Sequence, residues 1–278
     1  MNLDIEALTP FGARVTGLDL SDPALGPEIG DALQQALAEH LVLVFPEQEL
    51  SAAQTYLHAA RLFGPPMITH YSQHHMPGHP QISVLCSRSA ELDAEGKPML
   101  FGSECWHTDH TNRECPPMAT MLYALRLPSQ GGDTSFANMR MAYARLGRDL
   151  RARVEGLETV NRLDLNRRPA SEADVARFDQ PCVHPLVRTH PRTGQQALYF
   201  HNGKTERIVG MDPAQSQAFL STLLDTIIEP EIVYTHRWRV GDLLVCDNRA
   251  VLHRAHADYD PAEGRLLHRI IVEGDRPY

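Results

Sequence analysis

Apolar residues in this chain come in short runs, none longer than the one from Leu41 to Phe45, and turn-forming residues bound most of them. Five residues suit a buried strand, whereas a membrane span needs about 20. The same punctuation recurs along the chain. Val15 to Leu20 alternates weakly between Gly12 and Asp22-Pro23, Ile82 to Leu85 follows Pro80, and Ala119 to Leu125 follows Pro116-Pro117. That last run is apolar but for Thr120, which predicts burial on both faces. A short strand is expected after the Gly131-Gly132-Asp133-Thr134 turn, and another over Leu198 to Phe200. Ile232 to Arg239, Leu243 to Cys246 and Leu267 to Val272 complete the set, with Gly241-Asp242 and Asp247-Asn248 as turns.

Helical signals are fewer. Ile29, Leu33 and Leu37 place an apolar stripe on a helix over Pro27 to His40. Ser51 with Gln54 reads as a capping box for a helix ending at Phe63, which Gly64 closes. A helix is expected around Met141 to Leu150. Asp212-Pro213 with Gln215 opens another, and Pro230 stops it. Strands with helices grouped early and inserted late make a mainly β fold with flanking helices, a sandwich or jelly roll rather than a parallel α/β sheet. Pro65 to Pro80 and Ser87 to Gly102 read as loops. Residues 161–181 are polar and aperiodic, which suits a flexible loop or lid.

The chain has 278 residues, 42% of them hydrophobic, and no Ser/Gly-rich linker, so one domain over 1–278 is expected. A net charge of -9 without any Lys/Arg run argues against nucleic acid or an anionic membrane as partner. The start lacks the pattern of a signal peptide. Five scattered cysteines without a C-x-x-C read as reduced thiols, so a cytoplasmic protein is expected, and Cys105 is assigned to packing. A homo-oligomer, dimer or tetramer, acting on a small molecule is the expected assembly.

The chemistry concentrates at Trp106-His107-Thr108-Asp109. In extended backbone residues i and i+2 share a face, so His107 and Asp109 can grip one ion together. A second histidine, His253, would complete the two-His-one-carboxylate face that holds Fe(II) and leaves positions open. The segment lies between an aromatic residue and a Pro-Pro turn, and His253 lies just beyond Asp247-Asn248-Arg249 at a strand end. A second H-x-D, His256-Ala257-Asp258, offers a local alternative of His253, His256 and Asp258. His40, His58, His184, His190 and His236 are assigned to the surface or a satisfied core, and His74, His75 and His79 to the surface. Three chemistries fit such a face: an iron oxygenase, a zinc hydrolase with a metal-bound hydroxide, and a non-catalytic metal-binding barrel.

Trp106-His107-Thr108-Asp109, Gly131-Gly132-Asp133-Thr134 and the block Asp247-Asn248-Arg249, His253, Arg265, Arg269 together resemble the TauD/TfdA family. These are the Fe(II)- and 2-oxoglutarate-dependent taurine and 2,4-dichlorophenoxyacetate dioxygenases, and the likeness runs from Phe11 to Gly274. The resemblance implies a double-stranded β-helix (jelly roll) and O2 as oxidant. It implies His107, Asp109 and His253 as iron ligands, and Thr134 and Arg265 as partners of the 2-oxoglutarate tail. A planar guanidinium offers the donor fork a carboxylate needs. The interval from His253 to Arg265 is longer than in the taurine enzyme, and the turn containing Gly264 is expected to absorb the difference. For the primary substrate it implies Arg269 facing an acidic group, with contacts from His70, Tyr71, Ser103 and Lys204. Ser103 stands where taurine enzymes carry an amide and Lys204 where they carry an aromatic ring, so another small anion is expected: a carboxylate, sulfonate or sulfate. Hydroxylation beside oxygen, nitrogen or sulfur would let the product cleave.

Overall fold

The computed structural model describes residues 3–69, 72–87, 104–163 and 172–278. In chain order these hold β1 (Asp4–Ala7), β2 (Ala13–Thr16), α1 (Pro27–His40), β3 (Val42–Phe45), α2 (Ala53–Phe63), β4 (Pro66–Met67), β5 (His75–Met76), β6 (His79–Cys86), β7 (Ala119–Arg126) and β8 (Thr134–Asn138). Then follow α3 (Met139–Ala144), α4 (Arg148–Val154), β9 (Glu158–Asn161), α5 (Glu172–Phe178), β10 (Cys182–Pro185), β11 (Val187–Thr189), β12 (Gln196–Leu198) and β13 (Thr205–Ile208). The chain closes with α6 (Pro213–Ile227), β14 (Val233–His236), β15 (Leu243–Asp247), β16 (Val251–Ala255) and β17 (Leu266–Val272). None of the described helices is long and apolar enough to cross a membrane.

A nine-stranded major sheet runs β1-β2-β3-β15-β7-β17-β6-β5, with β4 also on β17, and a three-stranded minor sheet runs β14-β8-β16. Among the described strands only β2 and β3 pair parallel. The major sheet is apolar on both faces, and that is why its strands read as continuous runs. Leu43, Phe45, Met121, Val245 and Ile270 point to one side, where α1 and α2 lay Leu33, Leu37, Tyr56 and Phe63 over them. Val42, Val44, Leu244 and Cys246 point to the other, meeting Phe136, Ala137, Val251 and Leu252 of the minor sheet. Each fully buried Leu or Phe contributes about 1.5–3 kcal/mol. This is the jelly-roll arrangement expected of the sequence, with the early helices on its outer face.

Several boundaries differ from expectation for physical reasons. Helix α2 begins at Ala53 behind an uncapped Ala52, so Ser51 and Gln54 form no capping box. The Leu50 amide is taken by the Tyr123 hydroxyl at 3.1 Å, which holds the entry extended past Ser51. The helix expected around Met141 to Leu150 is two, α3 capped by the Asn138 side chain and α4 starting after Gly147. The Pro- and His-rich stretch 65–80 contains β4, β5 and the start of β6. Residues 161–181, expected as a flexible loop or lid, end β9 and carry α5 in the part described; 164–171 lie outside the described residues. Strand β16, which carries His253, was not anticipated.

Candidate metal centre and co-substrate pocket

Residues 106–108 lie beside β16 of the minor sheet, with a bend before them and a turn after. His107 forms an isolated bridge with His253: His107 N donates to His253 O at 3.0 Å, and His253 N to His107 O at 2.7 Å. Their rings therefore sit side by side, 4.2 Å between centroids. Thr108 points the other way and ties the segment down by donating its hydroxyl to Asn248 O at 2.7 Å. Asp109, back on the face of His107, accepts from the Thr120 hydroxyl at 2.6 Å. Thr120 in turn accepts from Asn248 Nδ2 at 2.9 Å. His107 Nδ1 lies 2.9 Å from Cys105 O, so Nδ1 carries the hydrogen and Nε2 is left as the donor for an ion.

One donor atom each from His107, Asp109 and His253 lie within 4.8 Å of one another, the only such group among the described residues. The alternative set of His253, His256 and Asp258 does not form. His256 Nε2 meets Ser135 Oγ at 2.8 Å, and Asp258 Oδ1 accepts from Gly132 N at 2.9 Å. Both brace the 131–135 turn instead.

Electrostatics hold the three groups in metal-binding form. Burial, followed by the neighbouring His253, lowers the His107 imidazole to about 3. Burial likewise lowers His253. For Asp109 burial pulls upward, yet Arg269, then His253, His110 and His107, hold its carboxyl well below the ordinary carboxylate range. Arg269 Nη1 lies 3.4 Å from Asp109 Oδ1.

Arg265 and Thr134 meet beside the strands that carry His253 and Arg269: Thr134 lies on β8, which pairs with β16, and Arg265 directly precedes β17. Arg265 is buried, donating through Nε to Gly132 O at 2.9 Å and through Nη2 to Thr134 Oγ1 at 3.3 Å. Gly264, at φ +81°, closes the preceding turn and so turns Arg265 inward despite the longer interval from His253. Gly131, at φ +71°, must be glycine for a second reason as well: a Cβ there would stand 2.4 Å from Asp258 O. Lys204 is buried and donates from Nζ to Asn112 Oδ1 at 3.2 Å. His70, Tyr71 and Ser103 lie outside the described residues. The histidines assigned to a satisfied core behave so: His190 pairs with Asp247 at 2.9 Å and His236 with Asp242 at 3.1 Å.

Two pocket residues escaped the sequence reading. His201 is buried with its ring 5.2 Å from that of His107, and its Nδ1 accepts from Lys204 N at 3.1 Å. Burial, then His107 and Lys204, hold it well below its ordinary value. A lone histidine after Phe200 gave no signal. Trp238 donates from Nε1 to Thr134 Oγ1 at 3.0 Å, and its rarity, one of 2 tryptophans, was the available hint.

Compared with known proteins, residues 4–271 match the model of the taurine catabolism dioxygenase TauD, TfdA family. The chain belongs to the TauD/TfdA family. It is 33% identical to the (S)-phenoxypropionate/alpha-ketoglutarate-dioxygenase of Sphingobium herbicidovorans, over 95% of this chain and 92% of that one. It is equally 33% identical to the alpha-ketoglutarate-dependent 2,4-dichlorophenoxyacetate dioxygenase of Cupriavidus pinatubonensis, over 95% of each. Among solved structures, AAD-2 in complex with Mn(II) and N-oxalylglycine superposes with a TM-score of 0.82 at 28% identity, covering 100% of this chain and 99% of that one. As a TauD/TfdA member the protein is a 2-oxoglutarate-dependent non-haem iron dioxygenase that works with a divalent metal. Membership decides against the zinc hydrolase and the non-catalytic barrel.

Proposed function

We propose that His107, Asp109 and His253 hold Fe(II), that Thr134 and Arg265 hold the far carboxylate of 2-oxoglutarate, and that Arg269, helped by Lys204, orients a small anionic substrate. The donor set suits the ion: two imidazoles held neutral and one ionised carboxylate. His253 Nδ1 is buried without a hydrogen-bond partner, as fits a ring whose position is set by an ion rather than by the protein alone. Bound iron, with 2-oxoglutarate and O2, supplies the oxidation, releasing succinate and carbon dioxide and hydroxylating a C–H bond of the substrate.

The chain's own residues do the rest. Thr120 and Arg269 orient the two oxygens of Asp109, and Cys105 O orients His107. Selectivity then depends on holding one C–H bond within reach. The observation that carries the anionic-substrate reading is Arg269: it lies on the inward face of β17 beside Asp109, and its Nε is buried with no partner. A guanidinium with a spare inward donor suits an anion's oxygen. The relatives whose names specify phenoxypropionate and 2,4-dichlorophenoxyacetate act on carboxylates, in line with it. A hydroxylated carbon that also bears oxygen, nitrogen or sulfur would then lose that bond.

Two results test this reading. Arg265→Gln is expected to raise the 2-oxoglutarate concentration needed for half-maximal succinate release by about tenfold or more, with metal content unchanged. An unmoved requirement would place the tail on another residue. For the substrate, the best acid from a succinate-release screen is compared with its methyl ester. Equal turnover of the ester, or selectivity intact in Arg269→Ala, would refute the anionic substrate.

A further inference from the structure

The hydroxyl of Thr134 has most of its hydrogen bonding fixed by the protein. Trp238 Nε1 donates to it at 3.0 Å and Arg265 Nη2 at 3.3 Å. Neither partner can reverse its role, because indole and guanidinium nitrogens only donate. A hydroxyl has two acceptor lone pairs and one hydrogen. Both lone pairs are therefore taken, and the hydrogen has to be given away. No acceptor among the described residues takes it.

We propose that Trp238 is a positioning residue for the co-substrate. By occupying one lone pair it compels the Thr134 hydroxyl to act as a donor, so that Thr134 and Arg265 together present only donors to the group between them. That arrangement selects an end that only accepts, a carboxylate, over one that must also donate, such as an amide. The inference rests on the assignment of Thr134 and Arg265 to the 2-oxoglutarate tail.

The indole is itself held in place. His236 stands opposite Thr134 in the β14–β8 register, and Trp238, two residues on, reaches back to the Thr134 side chain. The His236 ring meets the indole edge-on at 4.5 Å and 90°. His236 is fixed by Asp242 Oδ2 at 3.1 Å on Nε2 and by the Tyr234 hydroxyl at 3.1 Å on Nδ1. Asp242 Oδ2 also accepts from Arg239 N at 2.9 Å, which closes the turn after β14. The buried Asp242 and His236 thus have a role: they keep Trp238 aimed at one oxygen.

Calorimetric binding to Mn(II)-loaded protein tests this without turnover. The ligands are 2-oxoglutarate, its far-end amide 2-oxoglutaramate, and 2-oxobutyrate, which keeps the chelating end alone. Trp238→Phe is expected to weaken 2-oxoglutarate about tenfold, the scale of one lost hydrogen bond. It should weaken the amide less, because a released hydroxyl can turn to accept from the NH2, so discrimination between the two narrows several-fold. Mn(II) affinity and 2-oxobutyrate binding should stay put. Adding Trp238→Phe to Thr134→Val should cost nothing further, since Trp238 acts through that oxygen. Unchanged 2-oxoglutarate affinity, an equal loss for 2-oxobutyrate, or additive effects would each overturn the proposal. If instead Thr134→Val and Arg265→Gln both leave 2-oxoglutarate binding intact, the assignment of the pair to the co-substrate is what fails.

Discussion

Asp109→Ala protein should release no succinate above background and should lose its metal on desalting, and His107→Ala should behave the same way. Removing either leaves two ligands, and the open three-ligand face no longer exists. Asp109→Ala also strips Arg269 of the carboxylate that faces it, leaving a half-buried guanidinium beside the pocket. His256→Ala is the control, because it belongs to the other H-x-D motif. It removes a single hydrogen bond to Ser135, worth about 1 kcal/mol, and most activity should survive. The readouts are metal content after desalting and succinate release under saturating 2-oxoglutarate. Full activity in His107→Ala would refute the assignment.

Acid should unfold the metal-free protein unusually early. Six histidines, His107, His184, His190, His201, His253 and His268, are lowered from 6.5, burial being the largest cause for each. Below 6.5 the unfolded chain takes up protons that the folded chain refuses, so this stability is present above that pH and is lost as pH falls. Each such group opposes folding as pH falls below 6.5, and six of them act in the same direction against a total stability of roughly 5–15 kcal/mol. Asp109 and Asp247, lowered from 3.8, begin to lose their contribution only near that pH, below the window in question. In EDTA the onset of the fall in stability, followed by near-ultraviolet circular dichroism, is expected as pH drops below about 6.5. Metal should move it lower, since the ion binds the deprotonated ligands. A metal-free protein still folded at pH 4 would contradict this account.

The legible parts of the sequence were those where one physical rule acts alone. Helix α1 spans the residues its apolar stripe and leading proline indicate, and Asp212 caps α6 as expected, accepting from Ala214 N and Gln215 N. His107 and Asp109 could be read as one face because extended backbone alternates. Strand β16 was invisible because His253 and Arg254 interrupt its apolar pattern where function requires polar groups. His201 and Trp238 were missed because their importance depends on a fold that brings β8, the turn after β14 and the loop after β12 together. The two H-x-D motifs are indistinguishable as strings. Only the turn at 131–135, which His256 and Asp258 brace, separates a ligand pair from a backbone clamp.

The reciprocal backbone pair between His107 and His253 also ties the proposed metal site to the finished fold. The two segments are far apart in sequence, and His253 meets His107 from β16, which pairs with β8. Contacts of that range form late, because the intervening chain must first give up its freedom. On the proposed ligand set, an unfolded chain therefore offers the local pair His107 and Asp109 but not the third ligand, His253, far along the sequence. On that ligand set the complete three-ligand grip waits for closure of the fold, so loading of the ion reports a finished fold.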